Sequence, residues 1–102
     1  MIMDPDKPDL TIADVVLSVA GRDKGHLFYV LEADDTYLTI ANGKDRRIEK
    51  PKRKKRKHTQ KVLRSETRVA EKLRHGDKVL NSELRKDLAY LSQAMQSNNL
   101  GG

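Results

Sequence analysis

The feature that most constrains the fold of this chain is a run of six consecutive cations, residues 52–57. Neighbouring side chains of like charge repel each other, so the run opposes compaction unless anions lie against it. The surrounding residues 44–57 hold ten basic and two acidic side chains, a net charge of +8, whereas the whole chain of 102 residues carries +6. The sequence therefore predicts a nearly neutral domain that presents one basic segment, residues 44–58.

Composition excludes several classes of protein. No apolar run approaches the roughly 20 residues of a membrane span, and residues 1–6 lack the basic start and apolar stretch of a secretory signal. The absence of cysteine excludes disulfides, thiolate metal sites and a cysteine nucleophile. We therefore expect one small cytoplasmic domain without a membrane partner.

Three β-strands are predicted before the basic segment. Residues 15–20 and 27–31 are rich in β-branched and aromatic side chains, and a turn containing two glycines separates them. Residues 37–40 alternate between the two faces of a strand. A meander of this kind can bury its apolar face by curling into a small barrel. The expected core consists of Val15, Leu17, Val19, Phe28, Val30, Leu38, Ile40 and Ile48.

A hairpin is predicted at Asn42-Gly43, because this dipeptide favours the type I′ turn. The returning strand would be residues 46–48, and Pro51 would end it, since proline has no backbone donor for the ladder. The cations that follow would then form a flexible loop attached to a rigid sheet.

Two helices are predicted in the last 40 residues. Residues 66–74 place Val69 and Leu73 on one face, between an N-cap at Ser65 and a stop at Gly76. A longer helix follows an N-cap at Asn81 or Ser82, and its apolar stripe is expected to pack on the sheet. The stripe consists of Leu84, Leu88, Leu91 and Met95.

These elements predict an α+β fold, mostly β with C-terminal helices. The expected division is a flexible arm over residues 1–13, a β-domain over 14–60, a helical extension over 61–96 and a disordered tail over 97–102.

The segment from Val16 to Val30 resembles a KOW motif, a strand–turn–strand element of ribosomal and transcription-elongation proteins, with Gly25 where that family keeps a glycine. Residues 42–44, 46–55, 57–58 and 81–86 are also similar to the KOW-domain RNA-binding proteins of bacteria. Those proteins are themselves similar to the L-fourteen-e type of large-subunit ribosomal protein in archaea and eukaryotes. The resemblance implies a small SH3-like barrel followed by two short helices, RNA as the ligand, and association with ribosomal RNA or ribosomal proteins.

The residues expected to contact RNA lie in the glycine turn and the basic segment. Lysine and arginine bind phosphates, and a glycine lets the RNA backbone approach with no Cβ in the way. These residues are Arg22, Lys24, Gly25, Lys44, Arg46, Arg47, Lys50, Lys52, Arg53, Lys54, Lys55, Arg56, Lys57 and His58.

Other functions have less support in the sequence. The three histidines are scattered without metal-ligand spacing, so we expect no enzyme, cofactor, metal or small-molecule substrate. Three alternatives stay open: a KOW module that binds proteins through an exposed leucine stripe, a basic element for acidic lipids, and a solvated basic loop or import signal. Tyr29 or Tyr37 could stack on bases, although a structural role is favoured for each.

Overall fold

The computed structural model describes residues 11–101 of the chain, and its side chains as far as Gln96. Residues 1–10 of the predicted arm lie outside the described residues. The fold is α+β: a five-stranded antiparallel sheet in the order β4-β3-β2-β1-β5, followed by two helices. Its elements are β1 (Asp14–Ser18), β2 (Leu27–Ala33), β3 (Tyr37–Ala41), β4 (Lys52–Lys55), a 3-10 turn (Arg56–His58), β5 (Thr59–Arg64), α1 (Arg68–His75) and α2 (Asn81–Gly101).

The first three strands are confirmed within one or two residues of their predicted bounds. β1 and β2 pair in the register Val15↔Tyr29, and β2 and β3 pair around Val30↔Ile40. β1 ends at Ser18 because the chain then enters the glycine turn, where the backbone N–H of Gly25 donates to the Ser18 carbonyl. The prediction that Val19 is a core residue is therefore wrong, and its side chain is exposed.

The predicted type I′ hairpin at Asn42-Gly43 is wrong. That turn needs a positive φ at both central residues, and Gly43 has one (+77°) whereas Asn42 does not. The Asn42 Oδ1 atom instead accepts the backbone N–H groups of Lys44 and Arg46, each at 3.0 Å. Residues 42–51 consequently form a loop, without the strand expected over 46–48, and Pro51 precedes strand β4 instead of ending a strand.

The basic run was expected to be a flexible loop, and this is also wrong. Residues 52–55 form edge strand β4, which pairs with β3 through Ile40↔Lys52 and Leu38↔Lys54. A strand edge rich in lysine is a common protection against edge-to-edge aggregation. The chain then turns through Arg56–His58 into β5, a strand that the sequence pattern did not predict, and β5 pairs with β1.

Both faces of the sheet carry buried apolar side chains. Val15 and Val16 are neighbours in β1 and are both fully buried, because one points to each face. One face gathers a cluster of five buried residues from β1, β2 and β3, whereas the helices pack on the other face. The first cluster is Val16, Phe28, Val30, Leu38 and Ile40, and the second includes Val15, Tyr29, Ala41, Ala70, Val79, Leu84, Leu88 and Leu91.

Of the eight predicted core residues, Leu17 and Ile48 are half-buried, and Ile48 packs against the second cluster. The structural role favoured for Tyr29 is confirmed, since its side chain is fully buried in the second cluster.

The N-cap of α1 is Thr67 instead of the predicted Ser65. The Thr67 hydroxyl accepts the backbone N–H of Ala70 at 3.2 Å, while Ser65 is buried with its hydroxyl 2.8 Å from the Tyr29 phenol oxygen. The stop at Gly76 is confirmed by its left-handed φ of +75°.

Helix α2 begins at Asn81, so the expected cap at Asn81 or Ser82 is wrong; Glu83 accepts the backbone N–H of Leu80 at 3.0 Å. The expected packing of the leucine stripe on the sheet is confirmed, and Met95 is half-buried. The helix has 21 residues and continues to Gly101, where a tail was expected. Within the described part of the chain, no helix is long and apolar enough to cross a membrane.

Candidate nucleic-acid interface

The glycine turn, residues 21–25, presents Arg22 and Lys24 to solvent and turns Asp23 inward. Asp23 Oδ1 accepts hydrogen bonds from Lys54 Nζ at 2.6 Å and from Ser18 Oγ at 2.8 Å. Lys54 Nζ also donates to the Ala20 carbonyl at 2.6 Å, and the Lys54 side chain is 6% exposed. Lys54 therefore connects the glycine turn to β4. The prediction that it contacts RNA is wrong, because its ammonium group is buried and already bonded.

A second cation of the run also pairs with Asp23. Lys52 Nζ lies 3.2 Å from Asp23 Oδ2. Burial alone would raise the pKa of Asp23, but hydrogen bonds from Lys54 and Ser18, together with the ion pair with Lys52, outweigh it and hold that pKa far below its usual value. The carboxylate is therefore ionised throughout the neutral range and offsets part of the positive charge of β4.

Arg53, the arginine of β4, is held at the turn between β2 and β3. Arg53 Nη2 lies 3.5 Å from Asp34 Oδ2, and Arg53 Cζ lies 4.2 Å from the centroid of the Tyr37 ring. The backbone N–H groups of Tyr37 and Thr36 donate to Asp34 Oδ1 and lower the pKa of Asp34, with a smaller contribution from Arg53.

Arg56 approaches the same turn, since its Nη1 donates to the Asp34 carbonyl at 2.8 Å. Carboxylates of the same molecule thus lie against Lys52, Arg53 and Lys54, half of the run. The expectation that an external anion relieves the repulsion among the six cations is therefore wrong for these three.

The loop over residues 42–51 presents four further cations and is held firmly by α2. A Cβ on Gly43 would lie 2.2 Å from the Asn81 carbonyl oxygen, so only glycine fits there. Arg85 Nη1 donates to the Gly43 carbonyl at 2.8 Å, and Asn81 Oδ1 accepts the backbone N–H of Ile48 at 2.9 Å. The exposed cations of this loop are Lys44, Arg46, Arg47 and Lys50.

The loop and the glycine turn meet at one end of the sheet. His26 Nδ1 lies 3.2 Å from Asp45 Oδ2, and residues of both segments and of α2 line a shallow groove of about 330 Å³. Gly25 and Lys44 line this groove together with Arg85, which the sequence analysis did not select. Arg85 lies within residues 81–86, which carry part of the resemblance, but its place in the groove depends on how α2 packs against the loop.

Ten of the expected contacts are exposed, and eight of these are cations that form no ion pair with a carboxylate of residues 11–96. Six of the eight belong to the glycine turn and the loop. Lys55 ends β4, about 10 Å along the edge strand, and Lys57 lies in the 3-10 turn that follows. Gly25 is also exposed, with a φ of +89° and open space around it, whereas His58 is half-buried. The eight residues, called here the basic edge, are Arg22, Lys24, Lys44, Arg46, Arg47, Lys50, Lys55 and Lys57.

The described residues hold no group of three or more histidine, cysteine, aspartate or glutamate side chains that could bind a metal ion. Comparisons of the sequence with models of protein families and with curated proteins find no match.

Proposed function

We propose that this chain is an RNA-binding module of the KOW type, associated with ribosomes and binding ribosomal RNA through its phosphates. The observation that carries the proposal is the basic edge: eight exposed cations without carboxylate partners among the described residues, six of them on two segments that meet at one end of the sheet. Loop cations held by the Gly43–Asn81 and Arg85 contacts lose less conformational freedom on binding than cations on a flexible loop would.

The strand order is compatible with a small SH3-like barrel, which we include in the proposal. β1 lies between β2 and β5, and the short 3-10 turn carries the chain from edge strand β4 to edge strand β5. A cluster of five fully buried residues fills one face of this sheet, as the interior of a small barrel requires.

The alternative of a protein-binding module loses the surface it was expected to use. That function needed an exposed leucine stripe on α2, and Leu84, Leu88 and Leu91 are instead buried against the sheet. An interaction through acidic lipids has no added support, since no apolar residue interrupts the run of cations over residues 52–57.

The salt dependence of RNA affinity tests the proposal. If about six of the eight cations contact phosphates, log K should fall against log salt concentration with a slope of roughly −4 to −5. Changing Lys44, Arg46 and Lys50 together to Gln should make this slope less steep by about 2 to 3. The measurement is fluorescence anisotropy with ribosomal RNA fragments over a series of salt concentrations.

The matched control changes three exposed cations outside the basic edge, Arg68, Lys78 and Lys86, to Gln. It removes the same formal charge and should leave the slope nearly unchanged. A wild-type slope near zero, or equal changes in the two triple variants, would contradict the proposal.

A further inference from the structure

The guanidinium of Arg53, a planar cation, is exposed to solvent near the far end of the basic edge. Tyr37 begins β3 and Arg53 lies in the neighbouring strand β4, where the register pairs Arg53 with Thr39. Residues offset by two positions across an antiparallel pair share one face and can touch when their side chains are long. The Arg53 guanidinium accordingly covers the Tyr37 ring, with 4.2 Å between Cζ and the ring centroid.

Two contacts fix the orientation of this guanidinium. Its Cζ lies over the Tyr37 ring, and Nη2 lies 3.5 Å from Asp34 Oδ2. Asp34 is in turn held by two backbone N–H groups, at 2.7 and 2.8 Å. Despite these contacts the Arg53 side chain is 65% exposed, so most of it is accessible to a ligand.

We propose that the Arg53–Tyr37 pair is a stacking platform that binds an unpaired base of RNA. Unpaired bases stack on aromatic rings and on arginine planes without regard to their identity, because every base has a π-face. Lys55 lies opposite Tyr37 in the strand register, and Lys57 comes two residues after Lys55. Both lysines can therefore contact the phosphates that flank a stacked base. The ligand class is therefore single-stranded RNA, or a bulge, instead of continuous duplex.

This inference rests on the proposed RNA-binding function and adds a role for Arg53 that its charge alone does not provide. The substitution Arg53→Lys keeps the charge and can keep the ion pair with Asp34, but it removes the plane. Arg68→Lys is the matched control, because Arg68 is exposed, lies outside the basic edge and contacts no aromatic ring among the described residues. The probes are a short single-stranded RNA carrying a fluorescent adenine analogue and a duplex RNA of equal length.

Arg53→Lys should weaken binding of the single-stranded probe about fivefold to a hundredfold, and that of the duplex less than about twofold. The salt slope should stay unchanged, since no charge is lost. The wild-type protein should also change the emission of the adenine analogue, which responds to stacking. Arg68→Lys should leave both affinities nearly unchanged.

Two results would overturn the platform while leaving the proposed function in place: equal effects of Arg53→Lys on both probes, or no effect on either. If the wild-type protein binds neither RNA, the proposed function fails and the platform fails with it. A thermal melt of each variant verifies that the sheet is folded before binding is measured.

Discussion

Replacing Lys54 by Met tests whether the Asp23–Lys54 pair holds the basic strand in the sheet. The substitution keeps an unbranched side chain of similar length but leaves the enclosed Asp23 carboxylate with only Lys52 and Ser18 as partners. Removing one member of a buried ion pair costs about 3–5 kcal/mol. Because two partners remain, we expect the low end, about 3 kcal/mol of unfolding free energy. For a domain of this size that loss lowers Tm by roughly 12–24 °C.

Urea unfolding followed by circular dichroism measures the change, and Lys55→Met is the matched control. Lys55 lies in the same strand, is exposed and has no carboxylate partner among the described residues, so its loss should change the free energy of unfolding by less than about 0.5 kcal/mol.

Acid provides a second readout of the same pair. The pKa of Asp23 is lower in the folded than in the unfolded chain, so its contribution is complete above about pH 4 and is lost as the pH falls further. Lys54→Met should flatten this dependence, since the main hydrogen-bond donor is gone. A loss below about 1 kcal/mol for Lys54→Met would refute the reasoning, because that is the value of a solvent-screened surface pair.

Two further predictions concern the loop and the buried phenol. Gly43→Ala should destabilise the fold by more than the roughly 1–2 kcal/mol that a left-handed conformation costs, because the added Cβ also meets the Asn81 carbonyl. Gly25→Ala is the control and should show the conformational cost alone, since Gly25 has open space around it. Equal losses of unfolding free energy for the two variants in urea would contradict this prediction. Burial and the hydrogen bond to Asp87 raise the pKa of Tyr29 to about 12, so the folded chain keeps a proton that the unfolded chain releases near pH 10, and stability should fall between about pH 10 and 12. Phenolate absorbance should then show one of the three tyrosines ionising late, and Tyr29→Phe should abolish that late step.

Local patterns were sufficient for the elements whose stability is local. The β-branched and aromatic residues of β1 and β2 identify both strands, and the spacing of Leu84, Leu88 and Leu91 identifies the buried stripe of α2. Gly76 ends α1 as expected, because a left-handed C-cap depends on the residue at that position more than on distant partners.

Strand β4 could not be predicted, because what stabilises it lies elsewhere in the chain. Six adjacent cations give no strand pattern, and the carboxylate that accepts Lys54 is 31 residues away. The hairpin predicted at Asn42-Gly43 failed for a related reason. Gly43 is needed for its close contact with Asn81, 38 residues further on, and not for a hairpin. Strand β5 was missed because its half-buried sequence lacks clean alternation.

The candidate site was predictable in its chemistry more than in its geometry. The density of cations identified the segment, and eight of the named cations remain exposed without a carboxylate partner among the described residues. Pairing within the chain decided which cations stay accessible, and it depends on Asp23 and Asp34, two acidic residues in turns that carry no distinguishing pattern. The role of Arg53 also depends on its position beside Tyr37, which only the strand register determines.

The contacts between Asn81, Arg85 and the Gly43 loop make the C-terminal helix part of the scaffold that shapes the loop. A fragment cut after His75 would keep every strand and every cation of the basic edge, yet those of the loop would lose their attachment to α2. Grafting residues 42–58 onto another protein would therefore transfer the charge without the shape.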